Sequence, residues 1–565
     1  MMRWDRPAGG REPAAAALLG WLSDAQAPRL CLVSGSEGCG KSALLAWLVH
    51  HGSRPGGLAE RTVHAVVPPS PDESVLATVW SIADQLGVVA RAPWELVPVL
   101  AADGRRTVIV LPDVRGKAVA ELVLALAGVP GIRLVVESRS GSPAHRLLSG
   151  SGSGCAELDL DLEQWRDEQR FAQWQASHGS QHVVAGMPKP KAVVDLWDPV
   201  AVCRADASTV TAAYERARKG EYGGLREAWL RAGQSLCLDQ EPASRALTLL
   251  AALGDGADPR LASALSEAAA ASAWCWEWSR VSGDLVPPWP GPVSALAVGE
   301  GPLAGAVLVT GPSGSVRVVR MGNGGARGRI AVGGFQPQSV SVMADGTVLV
   351  LDEAGRVHAD GSWVARPTGS GIARLLDEGP SGREVLLTAL RDHVGTAIAC
   401  AAGPDLGVVA FGDAAGEVQA FGDWEGAAVL HRGRVNALAA LGMPVDSEGV
   451  VPLVYSGGAD GTVRAWSPGH APMAAPLAER DSAVMSIDAA MTQSGPALAV
   501  AWGDGAVEWI EVDTGAWRAF RPGPPVRAVA LAPDGRLLMG MDEYLVCLTP
   551  GSPAQLAPEG VQRRP

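Results

Sequence analysis

Along the first 160 or so positions, short and almost unbroken apolar runs alternate with stretches in which apolar residues recur every third or fourth position. The runs are RLCLVSG (29–35), RTVHAVVPP (61–69), TVIVLPDV (107–114), IRLVVESR (132–139) and CAELDLDL (155–162). Their length and their bounding turn residues predict strands. Between them, KSALLAWLVHH, ESVLATVWSIADQLG and KAVAELVLALAG carry the spacing of helices with one buried face. Strands alternating with helices of this length predict a parallel sheet covered on both faces over residues 28–162.

From 163 to 270 the strand signal fades. LEQWRDEQRFAQWQASH, DASTVTAAYERARKG, GGLREAWLRAGQSL, ASRALTLLAALG and DPRLASALSEAAAASA are rich in Ala, Leu and Arg at helical spacing, which predicts a helical domain with GMPKPK (186–191) as a loop inside it. From 271 to 551 the texture turns to short alternating strands and glycine turns. Six similar phrases recur: GPSGSVRVVR, DEAGRVHAD, GDAAGEVQAF, GGADGTVRAW, WGDGAVEWI and GMDEYLVCL, with Gly314, Gly355, Gly416, Gly461, Gly505 and Glu543 in equivalent places. Repeats of about forty residues, each a turn followed by an alternating strand, predict a β-propeller rather than a plain β-sandwich. The wide gap between Gly355 and Gly416 leaves room for a seventh blade. ASAWCWEW (271–278), with tryptophan at every second position, is expected to supply a strand that closes the ring against the last blade. GGADGTVRAW resembles a WD-repeat ending, although the usual Gly-His and Trp-Asp pairs are missing. Residues 1–27 form an N-terminal segment, and 552–565 a tail expected to be flexible.

Composition narrows the function classes. A formal charge of −13 over 565 residues argues against a large nucleic-acid footprint or an anionic membrane surface. The longest apolar candidate, AVAELVLALAGVPGIRLVV, is interrupted by Glu121 and Arg133, so no membrane span is expected. MMRWDRPAGGREP lacks the apolar core of a secretory signal, which makes a cytoplasmic location the default. The eight cysteines are scattered without a Cys-x-x-Cys pair, suggesting neither disulfides nor zinc. Lysine occurs only at 41, 117, 189, 191 and 219 while arginine, alanine and glycine abound, a composition typical of GC-rich bacterial genes.

The sharpest chemical signal is VSGSEGCGKSAL (33–44). Gly35, Gly40, Lys41 and Ser42 fit the phosphate-loop pattern of glycine, four residues, then Gly-Lys-Ser. Glycines let the backbone turn its N–H groups toward a phosphate, and the helix that follows adds its positive end. Lys41 would bridge β- and γ-phosphates, and the Ser42 hydroxyl would coordinate Mg²⁺. A chance match in this composition is expected on the order of once in a hundred such chains. The third strand should end in an acid for the metal, and VIVLPDV offers only Asp113, preceded by Pro112. Whether Asp113 stands in the metal position or one residue beyond is open by a single register step. The next acid, Glu121, lies a helical turn or two further on. Nucleotide binding is therefore expected, and fast hydrolysis is not.

These stretches resemble the STAND class of P-loop NTPases, within the broader AAA+-like group. GREPAAAALLGWL (10–22) is similar to its Gly-Arg-Glu element, GSEGCGKS to its phosphate loop, VIVLPDV to its Walker B strand and IRLVVESR to its sensor strand. The resemblance covers residues 8 to 165, and no clean copy of the family's Gly-x-Pro lid motif follows it. It implies a multidomain chain: an α/β P-loop NTPase core with a parallel sheet, a helical middle domain similar to a lid and winged helix, and a C-terminal β-propeller of six or seven blades. It implies ATP or ADP contacts from Gly35, Ser36, Gly38, Cys39, Gly40, Lys41, Ser42, Ala43 and Arg11, and Mg²⁺ held at Ser42 and Asp113. Asp113 and Arg139 would serve a slow hydrolysis. The activity implied is a regulatory switch whose propeller senses or recruits a protein partner, with nucleotide-dependent homo-oligomers possible. The alternatives are a nucleotide-stabilised scaffold without a cycle, and an active remodelling ATPase.

Overall fold

The structure is a computed structural model that describes residues 7–53, 59–70, 72–150, 154–178, 194–282, 291–312, 314–364, 382–445 and 449–551. The tail at 552–565 and the GMPKPK loop lie outside the described residues. Contacts divide the chain into two compact units, Met1–Arg218 and Lys219–Pro565.

In the first unit, strands β1 (Leu30–Ser34), β2 (Ala65–Val66), β3 (Thr107–Leu111), β4 (Ile132–Glu137) and β5 (Cys155–Asp159) form one parallel sheet in the order β2-β3-β4-β1-β5. β1, β3 and β4 are buried at every position and read as largely apolar runs, broken in β4 by Arg133, whose guanidinium donates to the Trp21 and Asp24 carbonyls. The second run, expected over 61–69, pairs as strand only at Ala65 and Val66. Helix α1 (Glu12–Ser23) and helix α2 (Lys41–Gly52) cover the sheet, with Leu18, Leu22, Leu44, Trp47 and Leu48 packed on Cys31, Val33, Val108, Val110 and Val135. This five-stranded parallel sheet is compatible with the P-loop fold expected from the sequence.

Local capping fixes the remaining helices. Helix α3 (Val75–Gln85) starts at Ser74, whose hydroxyl accepts from the Ala77 N–H at 3.0 Å. Helix α4 (Pro93–Asp103) ends at Gly104 in a left-handed conformation. At the start of helix α5 (Lys117–Ala127), the Glu73 carboxylate accepts from the backbone N–H groups of Arg115 and Gly116 at 3.1 and 2.6 Å. An anion at a helix N-terminus is favourable, and this one leaves Gly116 no room for a Cβ. Helix α6 (Pro143–Ser149) follows β4.

The helices predicted between 163 and 270 divide between the units. α7 (Glu168–His178), α8 (Pro199–Arg204) and α9 (Ala207–Arg216) belong to the first, where α9 packs on α3. α10 (Leu225–Leu236), α11 (Pro242–Ala251) and α12 (Pro259–Ala268) belong to the second. There α10 lies so close to the propeller that a Cβ on Gly523 would meet the Ala232 carbonyl oxygen at 2.4 Å, and the Ser235 hydroxyl donates to the Arg521 carbonyl at 2.7 Å.

The propeller has six blades among the described residues: five four-stranded sheets and one of three strands (337–360). The seventh blade considered for the interval before Gly416 is not found among the described residues of that interval. Instead, helix α13 (Gly382–Arg391) sets Leu386 and Leu390 against Leu349, Leu351, Ile398 and Val409 of two successive blades. The ring closes as the tryptophan alternation predicts. Strand β6 (Trp274–Val281) pairs antiparallel with Tyr544–Pro550 as the outer strand of the last blade. Trp274 and Trp278 are both buried, but a bulge between them puts them on opposite faces of the strand, where they donate their indole N–H groups to the Ala519 carbonyl of the preceding blade and the Met321 carbonyl of the first, at 3.1 and 2.8 Å.

Candidate functional site

The glycine loop leaves β1 at Ser34 and enters α2 at Lys41. Gly35, Gly38 and Gly40 all take positive φ (142°, 79° and 98°), a backbone that side-chain-bearing residues rarely adopt. A Cβ on Gly35 would stand 2.6 Å from the Cys39 sulfur. Lys41 is only 8% exposed, and its ammonium donates to the Gly35 and Ser36 carbonyls at 3.0 and 2.7 Å. Ser36, Ser42 and Ala43 are exposed along the open side of the loop.

Two residues outside the motif hold this loop. Asp161, just past β5, accepts from both the Ser36 N–H and the Ser36 hydroxyl at 2.8 Å. Arg11, at the entry to α1, donates to the Cys39 carbonyl at 2.6 Å and to the Leu160 carbonyl at 2.9 Å, with a longer contact to Trp165 at 3.5 Å. The residue is 7% exposed, and burial pulls its pKa below the ordinary arginine value. Arg11, expected as a nucleotide contact, is thus placed on the backbone of the loop itself. Arg139 also reaches the loop, through an exposed ion pair with Glu37 at 3.2 Å, and the next residue's N–H bonds the Gly35 carbonyl at 3.2 Å.

The acid that meets Ser42 is Glu137. The Ser42 hydroxyl donates to Glu137 Oε1 at 2.8 Å, while Asp113 pairs its carboxylate with the Arg115 guanidinium. Asp113 sits in a turn at φ 53°, and its neighbour Val114 donates its N–H to the Glu137 carbonyl at 2.8 Å. Glu137 is 5% exposed, and its Oε2 is buried without a hydrogen-bond partner. Burial raises its pKa, against the opposing pull of the Ser42 hydroxyl and the Lys41 charge. Sequence reasoning read IRLVVESR for its arginine and passed over this residue. The available signal was a carboxylate ending a fully buried strand that is apolar apart from Arg133 at its start, where an acid is costly unless used.

These residues suit a nucleotide with its divalent ion. Left-handed glycines free the loop's amide groups to face a phosphate, Lys41 supplies a positive charge, and Ser42 and the unpartnered Glu137 oxygen supply hard ligands of the kind Mg²⁺ prefers.

A second feature lies on the propeller axis. The innermost strands enclose a cavity of about 380 Å³ whose lining includes Ser339, Ser341, Asn436, Ser486, Asp488 and Glu300. In one blade, His431 is fully buried between Ser456 (2.8 Å), Asp460 (3.1 Å) and Thr462 (3.1 Å). In the next blade, Arg480 and Asp504, paired at 2.8 Å, stand in the equivalent turns. Leu430 stands before this histidine where a Gly-His pair would have glycine; the histidine itself is present and buried.

No protein-family profile and no curated protein matches the chain. Among solved structures, the chain is similar to the crystal structure of RRP9 WD40 repeats, at 13% identity over 46% of this chain and 94% of that one, with a TM-score of 0.31. The propeller description rests on the strand pairing above. Among the described residues, no helix is long and apolar enough to cross a membrane.

Proposed function

We propose that the protein is an ATP- and ADP-binding regulatory switch, in which the first unit holds nucleotide with Mg²⁺ and the propeller engages a protein partner. The observation that carries this reading is the loop between β1 and α2. Its glycines take positive φ, its lysine is buried against the loop, and its serine faces a buried carboxylate. In this reading Lys41 leaves the Gly35 and Ser36 carbonyls for the β- and γ-phosphates, the amides of Gly38 to Ala43 line them, and Arg139 exchanges Glu37 for the γ-phosphate side. Mg²⁺ supplies charge neutralisation between the phosphates, and the protein's part is to hold and orient it. Hydrolysis is slow, because Asp113, the acid after β3, is tied to Arg115 and no second acid follows it on that turn. Nucleotide-dependent assembly of several copies is part of the same reading.

The alternative of a scaffold without a cycle draws on one observation: Lys41 already satisfies its ammonium with loop carbonyls, so the loop is ordered by its own contacts. One experiment separates the two. The full-length protein is denatured after a gentle purification and the released nucleotide is identified by chromatography, then exchange with ATP is followed. Bound ADP that exchanges supports the switch; nucleotide that never exchanges supports the scaffold. Lys41→Ala should abolish ATP binding and leave the β-rich circular dichroism of the propeller intact, and a variant that still binds ATP normally rejects the phosphate-loop reading.

A further inference from the structure

We propose that Glu137 is the acid that fixes the divalent ion at this loop, in the role expected of Asp113. The proposal rests on the nucleotide-binding reading above and adds to it the residue that couples Mg²⁺ to binding.

Strand register carries the first part of the argument. In the parallel pairing of β3 with β4, Leu111 is level with Val136, which puts the next residue, Pro112, level with Glu137. In the pairing of β1 with β4, Val33 is level with Glu137. The rim of the sheet beside the loop therefore has a proline on β3 where a metal-binding acid would be sought, and a glutamate at the same level one strand nearer the loop. Neighbouring strands are separated by about 4.8 Å, and glutamate is a long side chain, so moving the acid by one strand still delivers a carboxylate to the same rim. Asp113 lies one residue past this level, in a turn, with its carboxylate committed to Arg115.

Hydrogen bonding carries the second part. A serine hydroxyl has one donor and two acceptor lone pairs. Here the proton is spent on Glu137 Oε1, so the lone pairs of Ser42 Oγ are left for a cation, and Ser42 is exposed on its other side. The carboxylate then orients the hydroxyl and places its own negative charge beside it. Glu137 Oε2 is the third part: it is buried, and it has no hydrogen-bond partner. Buried carboxylate oxygens are rarely left unpaired, because the lost solvation is not returned. A divalent ion or one of its waters would satisfy this atom. Magnesium keeps several waters and takes one or two carboxylates alongside phosphate oxygens, so a single glutamate with Ser42 is a sufficient protein contribution.

The test uses the full-length protein and a fluorescent ATP analogue, titrated in excess Mg²⁺ and in EDTA, with Mn²⁺ binding to the nucleotide complex followed by electron paramagnetic resonance. In the wild type, the metal should strengthen nucleotide binding about tenfold or more, within the usual range of coupling between two ligands. Glu137→Gln preserves shape and removes the charge; it should reduce the enhancement to about twofold or less and weaken Mn²⁺ binding, with the affinity in EDTA little changed. Asp113→Asn should keep the wild-type enhancement. Retention of the full enhancement by Glu137→Gln, or its loss in Asp113→Asn, overturns the proposal. So does a wild type that binds nucleotide equally with and without metal, and that result leaves the nucleotide reading standing. A wild type that binds no nucleotide in either condition removes the nucleotide reading first, and the proposal with it. If Glu137→Gln does not fold, as judged by circular dichroism, the Asp113→Asn arm decides alone.

Discussion

Replacing Arg11 with alanine tests whether this residue holds the loop or the nucleotide. The residue is 7% exposed, and its guanidinium bridges the Cys39 carbonyl on the loop to the Leu160 carbonyl beyond β5, at 2.6 and 2.9 Å. Hydrogen bonds from charged donors contribute about 1.5–3 kcal/mol each. Burial of the charge, which lowers the pKa of Arg11, offsets part of that gain and favours the low end of the range. The contact to Trp165 at 3.5 Å adds little. Two bonds at the low end give a loss of about 3 kcal/mol, with both carbonyls left to find other partners. For a folding unit of 150–250 residues, each kcal/mol moves the melting temperature by about 2–4 °C, so the expected fall is about 6–12 °C. The assay is scanning calorimetry of nucleotide-free full-length protein, resolving the transition of the unit Met1–Arg218, with ATP affinity measured in parallel. Arg11→Lys should fall between the two, since one ammonium cannot span both carbonyls as a planar fork does. A variant whose nucleotide-free melting shifts by less than about 2 °C while its ATP affinity collapses refutes the clamp and returns Arg11 to direct nucleotide contact.

Gly35→Ala should distort the loop, because the added Cβ would lie 2.6 Å from the Cys39 sulfur at φ 142°; weaker ATP binding is expected, and unchanged affinity by titration calorimetry counts against the loop geometry. His431→Ala should destabilise the propeller on the order of 3 kcal/mol, since it strands Ser456, Thr462 and the Asp460 carboxylate; urea unfolding followed by tryptophan fluorescence measures this. Burial holds the His431 pKa below its usual value despite the attraction of Asp460, so the native ring resists a proton that the unfolded chain accepts. Its contribution is then complete above about pH 6.5 and is lost as pH falls from there toward the native pKa, and the wild type but not His431→Phe should show this acid sensitivity in denaturation curves. ATP turnover without a partner should be slower than about one per minute, and many turnovers per second in a phosphate-release assay would contradict the switch.

The strands of the first unit and its helices α2, α3, α5, α7 and α9 were legible because their signals are local, whereas α4 and α6, each opening on a proline, were not read. A buried parallel strand is largely apolar on both faces, and β1, β3 and β4 are buried at every position, so each appears as an apolar run, broken only at Arg133 in the interior of β4. The glycine loop was legible because its motif lies within one short stretch. β6 was legible because alternation of Trp274, Trp276 and Trp278 states a strand, although a bulge turns Trp278 to the opposite face and the pairing partner lies more than 260 residues away. The second strand shrank to Ala65 and Val66 because pairing, not apolarity, defines a strand, and only those residues pair with β3. Glu137 carried a local signal, a carboxylate closing a buried strand, but its partner Ser42 lies 95 residues away, so its place beside the loop shows only in the fold.

The amino-acid sequence by itself determined the periodicities, the turn glycines, the Lys-Ser pair of the loop and the repeat of the propeller, since each depends on residues close together along the chain. The tertiary structure alone decided which acid stands beside Ser42, that Arg11 and Asp161, far apart along the chain, both grip the loop, that the helices of 163–270 divide between two units, and that the described ring has six blades. Those are statements about level and proximity between distant segments. A parallel sheet can exchange an acid on one strand for an acid on the next at the same height, and no reading along a single strand registers the exchange.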